Sequence, residues 1–266
     1  MTTTEIAATT STFLTPVPVT AVVQVAGARV RVTAGDRTDA EVLVRPVAPA
    51  SRADVRVAEK TRVTFVDGRL TVRTTVSGAR NGSVSITIGL PAGSHLVAYT
   101  ARSTVRADGA LGDVELHTAQ GRFALDRVDE LRTNIANGEV TVGRVAGSAS
   151  IDGSAVVVRI GEVTGAGRVS NSGGQTWIGH ACADDGVTAR TADGAIRIGR
   201  LTRDRTDLSN CSGTIEIVIG EDATLSLDAD STRGTVRSSV AAQDDGTVAL
   251  RARTRHGDVV VHPAAL

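Results

Sequence analysis

Five histidines and two cysteines are the side chains of this 266-residue chain with the widest chemical reach. His180, Cys182 and Asp184 fall within five residues of one another. On an extended strand, residues i and i+2 point to the same face, so His180 and Cys182 would meet one surface. A nucleophilic site needs Ser or Cys near a histidine held by a carboxylate. The other histidines, His95, His117, His256 and His262, are scattered, and Gly-x-Ser-x-Gly is not found. A tetrahedral metal centre needs further His or Cys at ligand spacing, and no second cluster completes the set that His180 and Cys182 begin. The plainer reading is a cysteine buried near a corner of the fold. No catalytic residue, cofactor site or metal site is assigned.

A pair of carboxylates could hydrolyse glycosides if held about 5 to 9.5 Å apart. Asp152, Asp184, Asp185 and Asp193 are the candidates, because strands stacked about 4.8 Å apart would supply such distances. Nearly all of them adjoin glycine, where aspartate is favoured by turn geometry alone. They are therefore expected to be turn residues. Calcium-binding repeats need Gly-Gly-x-Gly-x-Asp, and Gly173-Gly174 lacks the aspartate at the required place. Trp177, the one indole, is expected to pack, with a place on a binding surface as the alternative.

The elements that would carry these residues follow from composition and repetition. Hydrophobic residues make up 41% of the chain, yet only three Phe, one Trp and one Tyr are aromatic. The interior must therefore be built from small branched side chains. Twenty-nine basic residues balance twenty-nine acidic ones, so no net field draws nucleic acid or an anionic membrane. Stacking aromatics interleaved with Arg or Lys are missing as well, which argues against single-strand recognition. No run approaches the roughly 18 apolar residues of a membrane span. The first ten residues lack the basic start and apolar stretch of a secretory signal, and the expected location is the cytoplasm. Cys182 and Cys211 are expected to be reduced thiols, partly buried.

Gly-x-apolar-x-apolar recurs at Gly112, Gly121, Gly138, Gly194, Gly213 and Gly257, with weaker copies at Gly153, Gly174 and Gly234. From Gly174 onward the starts are 20, 19, 21 and 23 residues apart. The alternation is that of a strand with one buried face. A second punctuated step follows in Val142-Gly143, Ile160-Gly161, Ile178-Gly179 and Ile198-Gly199, where glycine would turn a corner through positive φ. Asp-Gly or Asn-Gly pairs at Asp67, Asn81, Asp108, Asn137, Asp152, Asp185, Asp193 and Asp245 suit hairpins as well as corners. Residue type repeating about every twenty positions decides between them. The predicted fold is all-β, a parallel β-solenoid (β-helix) with coils of about twenty residues.

Residues 1–15 are expected to be a disordered tail, and 16–266 a single β-solenoid domain. Val19 to Arg45 already reads as strands. Ser51 and Asp54 could open one short helix that covers the first coils.

With the repeat laid out, the chain resembles a bacterial β-strand-repeat family known as a putative adhesin, a domain of unknown function, in its actinobacterial form. The residues that carry the likeness are Phe13-Leu-Thr-Pro16, Val30 to Asp39, Leu90 to Ser94, Asn171 to Gly179, Thr191 to Gly194 and Val248 to Val259. The resemblance implies a β-solenoid and brings no catalytic residues with it. The expected function is a non-enzymatic scaffold or protein-interaction module, with a protein partner or self-association. The alternative is a carbohydrate-active enzyme or carbohydrate-binding protein on the same scaffold.

Overall fold

Val, Ile and Leu at every second position give most of the strands one apolar face that they must bury against their neighbours. The computed structural model describes residues 9–74, 82–183 and 185–264. It is mostly β, with eighteen strands and one helix among the described residues. Contacts gather into two compact units, residues 1–127 and 128–266.

The first unit holds β1 (Thr9–Leu14), β2 (Thr20–Gly35), β3 (Asp39–Pro46), α1 (Arg52–Glu59), β4 (Thr61–Val66), β5 (Arg69–Thr74), β6 (Val84–Pro91) and the part of β7 (His95–Val145) up to Arg127. β2 is the centre of two parallel ladders. Its first half, Thr20 to Gln24, lies between β5 and the start of β7, and its second half, Ala28 to Ala34, lies between β6 and the stretch Ser103 to Gly109. Outside these ladders the direction reverses. β3 runs antiparallel to β6, β1 antiparallel to β3, and β4 antiparallel to β5. Uniform parallel coils therefore do not describe this unit. At Asp67-Gly68 both φ angles are positive, 49° and 71°, the backbone a two-residue hairpin requires. That pair closes a hairpin rather than a coil corner.

The expectation of a disordered tail is corrected for Thr9 to Leu14, which pair with Val44 to Asp39 of β3. Phe13 supplies the reason, stacking on Phe65 of β4 with ring centroids 5.1 Å apart. The expected helix is present. Ser51 caps α1 by accepting from the Asp54 backbone N–H at 3.3 Å. The buried Asp54 carboxylate accepts from the backbone N–H groups of Ala48 (2.8 Å) and Ser83 (2.9 Å), and Val57 and Ala58 are buried on the same helix. Asn81 lies outside the described residues.

The second unit continues β7 and adds β8 (Ala149–Val163), β9 (Gly167–Gly173), β10 (Thr176–Ala181), β11 (Val187–Asp193), β12 (Ile196–Leu201), β13 (Asp204–Ser212), β14 (Ile215–Ile219), β15 (Leu225–Arg233), β16 (Val236–Ser238), β17 (Val248–His256) and β18 (Val259–Pro263). Every strand pairing in this unit is parallel. Register lays like over like. Val142 pairs with Ile160, Ile160 with Ile178, Ile178 with Ile198, Ile198 with Ile217 and Ile217 with Val261, and all six are buried. Each such side chain withdrawn from water contributes about 1.5–3 kcal/mol.

The last layers depart from chain order. Thr206 of β13 pairs with Leu250 of β17, and Leu250 pairs in turn with Leu227 of β15. β18 likewise lies between β14 and β16. The C-terminal layer is thus inserted beneath the one that precedes it in sequence. Its composition accounts for this, because Val248, Leu250, Ala252, Val259 and Val261 are all buried. The outer layer presents Asp228, Asp230, Arg233 and Arg237 to solvent. A terminal repeat needs such a polar outer surface.

Two glycine columns set the layer spacing by different means. Gly174, Gly194, Gly213 and Gly257 have φ of 106°, 143°, 125° and 152°, conformations that disfavour any side chain. A Cβ on Gly194 would lie 2.0 Å from the Gly174 carbonyl oxygen. The other column corrects the expected positive φ, since Gly143, Gly161, Gly179 and Gly199 are not in that region. Close approach selects glycine there. A Cβ on Gly161 would meet the Gly143 carbonyl oxygen at 2.4 Å, and one on Gly179 that of Gly161 at 2.6 Å.

Gly194→Ala should therefore destabilise by about 3 kcal/mol or more, combining backbone strain with a steric clash. Gly173→Ala, whose added Cβ meets nothing nearer than 3.7 Å, should lose under about 1 kcal/mol. Urea denaturation of both variants checks this, and equal midpoints would contradict the close-packing argument.

Candidate functional site

β10 carries both groups of side chains with chemical potential. Trp177 faces outward between Ile178 and Thr176, which are buried. In register it lies between Arg159 of β8 and Arg197 of β12. A Cβ on Gly179 would be 2.9 Å from Trp177 Cη2, so the indole lies along its own strand over the space the glycine leaves. It remains 39% exposed. It lines a groove of about 730 Å³ together with Arg159, Gln175, Arg197, Thr214 and Glu216. Both arginines are engaged. Arg197 donates from Nε and Nη2 to Glu216 Oε2 at 2.9 and 2.6 Å, and Arg159 donates to Glu139. Ion pairs this exposed add little stability, but they hold the groove walls near neutrality.

The second group sits where β10 ends. Glu162 of β8 pairs in register with His180 of β10, and Cys182 follows two residues later. Ligand atoms of Glu162, His180 and Cys182 all lie within 4.8 Å of one another. The Cys182 Sγ is 3.8 Å from Glu162 Oε1 and 3.5 Å from the Val163 carbonyl oxygen. Arg144 Nη1 approaches the other carboxylate oxygen, Oε2, at 3.7 Å. Burial pushes the Cys182 thiol above the usual thiol range, and the neighbouring Glu162 charge pushes it the same way. At neutral pH this thiol is protonated, which opposes a role as nucleophile.

His180 and Cys182 thus share a surface as their spacing suggested, while Asp184 lies outside the described residues. Glu162 takes the place of the carboxylate and comes from the neighbouring layer, eighteen residues earlier in the chain (180 − 162). Arg159 and Arg197 were equally unmarked, lying 18 and 20 residues either side of Trp177. Counting one repeat in each direction from every distinctive residue would have found all three.

Asp152 and Asp193, two of the carboxylates weighed for glycoside hydrolysis, do not pair with another carboxylate along the ladders. Asp152 pairs with Asn134 and Ser170, and Asp193 with Gly173 and Ser212. Asp152, Asp185 and Asp193 are all exposed. Of the remaining histidines, His95 Nδ1 accepts from the Asp113 backbone N–H at 2.9 Å, and His117 pairs with Glu115 at 2.5 Å while stacking on Tyr99. Cys211 is exposed rather than partly buried. No helix of the described residues is long and apolar enough to cross a membrane.

No protein-family model matches the sequence, and no curated protein matches it. Among solved structures, the chain is similar to a putative adhesin from Bacteroides fragilis, at 14% identity over 97% of both chains with a TM-score of 0.45. A putative adhesin from Parabacteroides distasonis is 10% identical over 96% of this chain and 98% of that one, with a TM-score of 0.42. Another, from Parabacteroides merdae, is 11% identical over 97% and 96%, with a TM-score of 0.38. The likeness is remote, at 14% identity or less. The cytoplasmic expectation does not stand. It had rested on the character of the first ten residues, which carries no information on location.

Ellman's reagent at pH 7 should titrate one thiol rapidly in the native protein, that of Cys211, and the second only slowly. In a Cys211→Ser variant the rapid phase should vanish. A Cys182 that reacts as fast as a free thiol would show that its thiol is not sheltered.

Proposed function

We propose that this protein is a non-enzymatic interaction module in which parallel layers wind as a β-solenoid and present a protein-binding groove around Trp177. The observation that carries the reading is the half-exposed indole held in register between two arginines. Trp and Arg are the residue types that most often dominate protein–protein binding energy, and a fixed aromatic loses little conformational entropy on binding. Layered register supplies the rigidity. Arg159, Trp177, Arg197 and Glu216 each sit on a strand paired on both sides, so that part of the binding surface is formed before a partner arrives. The kinship with adhesin-like β-strand-repeat proteins belongs to this proposal.

A second reading, carbohydrate binding, is favoured by one feature of the same groove. The indole lies along its own strand, and Gln175 and Thr214 line the same groove as hydrogen-bonding groups. A sugar ring could stack there. Self-association is a third use of exposed surface, in the first unit. Leu14 at 87% and Val66 at 64% exposure end the outer strands β1 and β4, and strand edges template pairing.

Trp177 is the only tryptophan, so its fluorescence reports directly on the groove. Cross-linking and affinity capture from the native host should recover a protein partner with the wild-type chain, and Trp177→Ala should weaken that capture at least tenfold while the folded far-ultraviolet spectrum is kept. Capture unaffected by Trp177→Ala would overturn the groove assignment. A shift of Trp177 emission with members of a polysaccharide panel, and no protein captured, would establish the carbohydrate reading instead. Light scattering at high concentration separates both from self-association.

A further inference from the structure

The cluster at the end of β10 has a composition that the groove does not use. A thiol, an imidazole and a carboxylate converge from two adjacent layers, with their ligand atoms within 4.8 Å of one another. His180 Nε2 is buried and has no hydrogen-bond partner. An imidazole nitrogen shut away from water without a partner forfeits its hydrogen bond, so a ligand that fills that position would be favoured. The Cys182 position has a plain structural alternative for comparison. In the layers on either side, Thr164 and Thr202 occupy the corresponding place, each with its backbone N–H on a carbonyl of the layer before. Thr164 Oγ1 reaches the Ala146 carbonyl oxygen at 2.7 Å and Thr202 Oγ1 the Ala181 carbonyl oxygen at 3.4 Å. A threonine there would serve the fold; the cysteine adds a soft sulfur ligand beside a histidine and a carboxylate.

We propose that Glu162, His180 and Cys182 form a three-ligand zinc site, with the fourth position open to water or to an external ligand. Sulfur, imidazole nitrogen and carboxylate oxygen are the donor types zinc takes, and three protein ligands with an open position are a recurring zinc arrangement. In a tetrahedral centre, sulfur and oxygen ligands lie roughly 3.5 Å apart, against 3.8 Å between Cys182 Sγ and Glu162 Oε1. Small side-chain rotations close the remainder. The Cys182 thiol gives up its proton to solvent as the Zn–S bond forms, and the two negative ligands then neutralise the ion's charge. Arg144 Nη1 approaches Glu162 Oε2 at 3.7 Å, the oxygen other than the one nearest the thiol, so it orients the carboxylate without occupying Oε1.

The test uses the full-length, untagged protein, stripped with a chelator and kept in a thiol-free reductant. Cobalt(II) chloride should bind with a stoichiometry of one and produce a thiolate-to-cobalt charge-transfer band, which zinc chloride then displaces. Cys182→Ser should abolish the band, whereas Cys211→Ser should leave it intact. Glu162→Gln and His180→Gln should each weaken zinc affinity about 100-fold or more, measured by competition with a chromophoric chelator. Circular dichroism confirms that each variant is folded, and if Cys182→Ser fails to fold, the Glu162 and His180 variants decide. Failure to bind cobalt stoichiometrically, a band retained in Cys182→Ser, or zinc affinity unchanged in both Glu162→Gln and His180→Gln would overturn the site. None of these readouts depends on what occupies the Trp177 groove.

Discussion

Parallel strands about 4.8 Å apart leave no freedom in what may follow what. Once one layer places an isoleucine inward, the next must place something of similar size over it. The sequence Val142, Ile160, Ile178, Ile198, Ile217, Val261 is the result. The same spacing is severe at the corners. Carbonyl oxygens of one layer lie where a side chain of the next would begin, and glycine is the residue that leaves room for them. Polar groups that turn inward there are bound to the corners themselves. Asn171 donates to the Val156 carbonyl oxygen, and Asn210 to those of Gly194 and Gly213. Amides inside the stack thus satisfy carbonyls that tight turns would leave without a partner.

Parallel ladders leave outer edges, and each unit treats its own by composition or by direction. In the first unit the strands farthest from the parallel ladders reverse direction, and a helix tethered through the buried Asp54 carboxylate covers part of β3 and β6. In the second unit the most polar layer stands outside, while the aliphatic C-terminal layer is paired on both sides. Insertion of a later segment between two earlier ones also means that β13 and β15 gain their shared neighbour only after the last strands have formed.

Outward positions are under no packing constraint, and there the register does something different. It turns residues one repeat apart into immediate neighbours. Arg159, Trp177 and Arg197 form one column, and Glu162 and His180 belong to another. A chemical group can therefore be assembled from residues that each look ordinary in their own repeat. Glu162 is one acidic residue among many in the sequence, and its significance comes from the imidazole stacked on it.

The alternation of Gly-x-Val-x-Val by itself determined that this chain is mostly β, because a period of two with small branched side chains has no helical solution. The recurrence of that pattern likewise determined the twenty-residue spacing and the glycine positions, and Ser51 and Asp54 determined the start of the helix found among the described residues. Three matters were decided only by tertiary structure. Strand direction in the first unit was one, because alternation is identical in parallel and antiparallel ladders. Layer order at the C-terminus was another, because the burial required of β17 and β18 outweighs adjacency in the chain. The third was the partnership of Glu162 with His180 and Cys182, since a ladder joins residues by register, and register is a property of two strands rather than of either one.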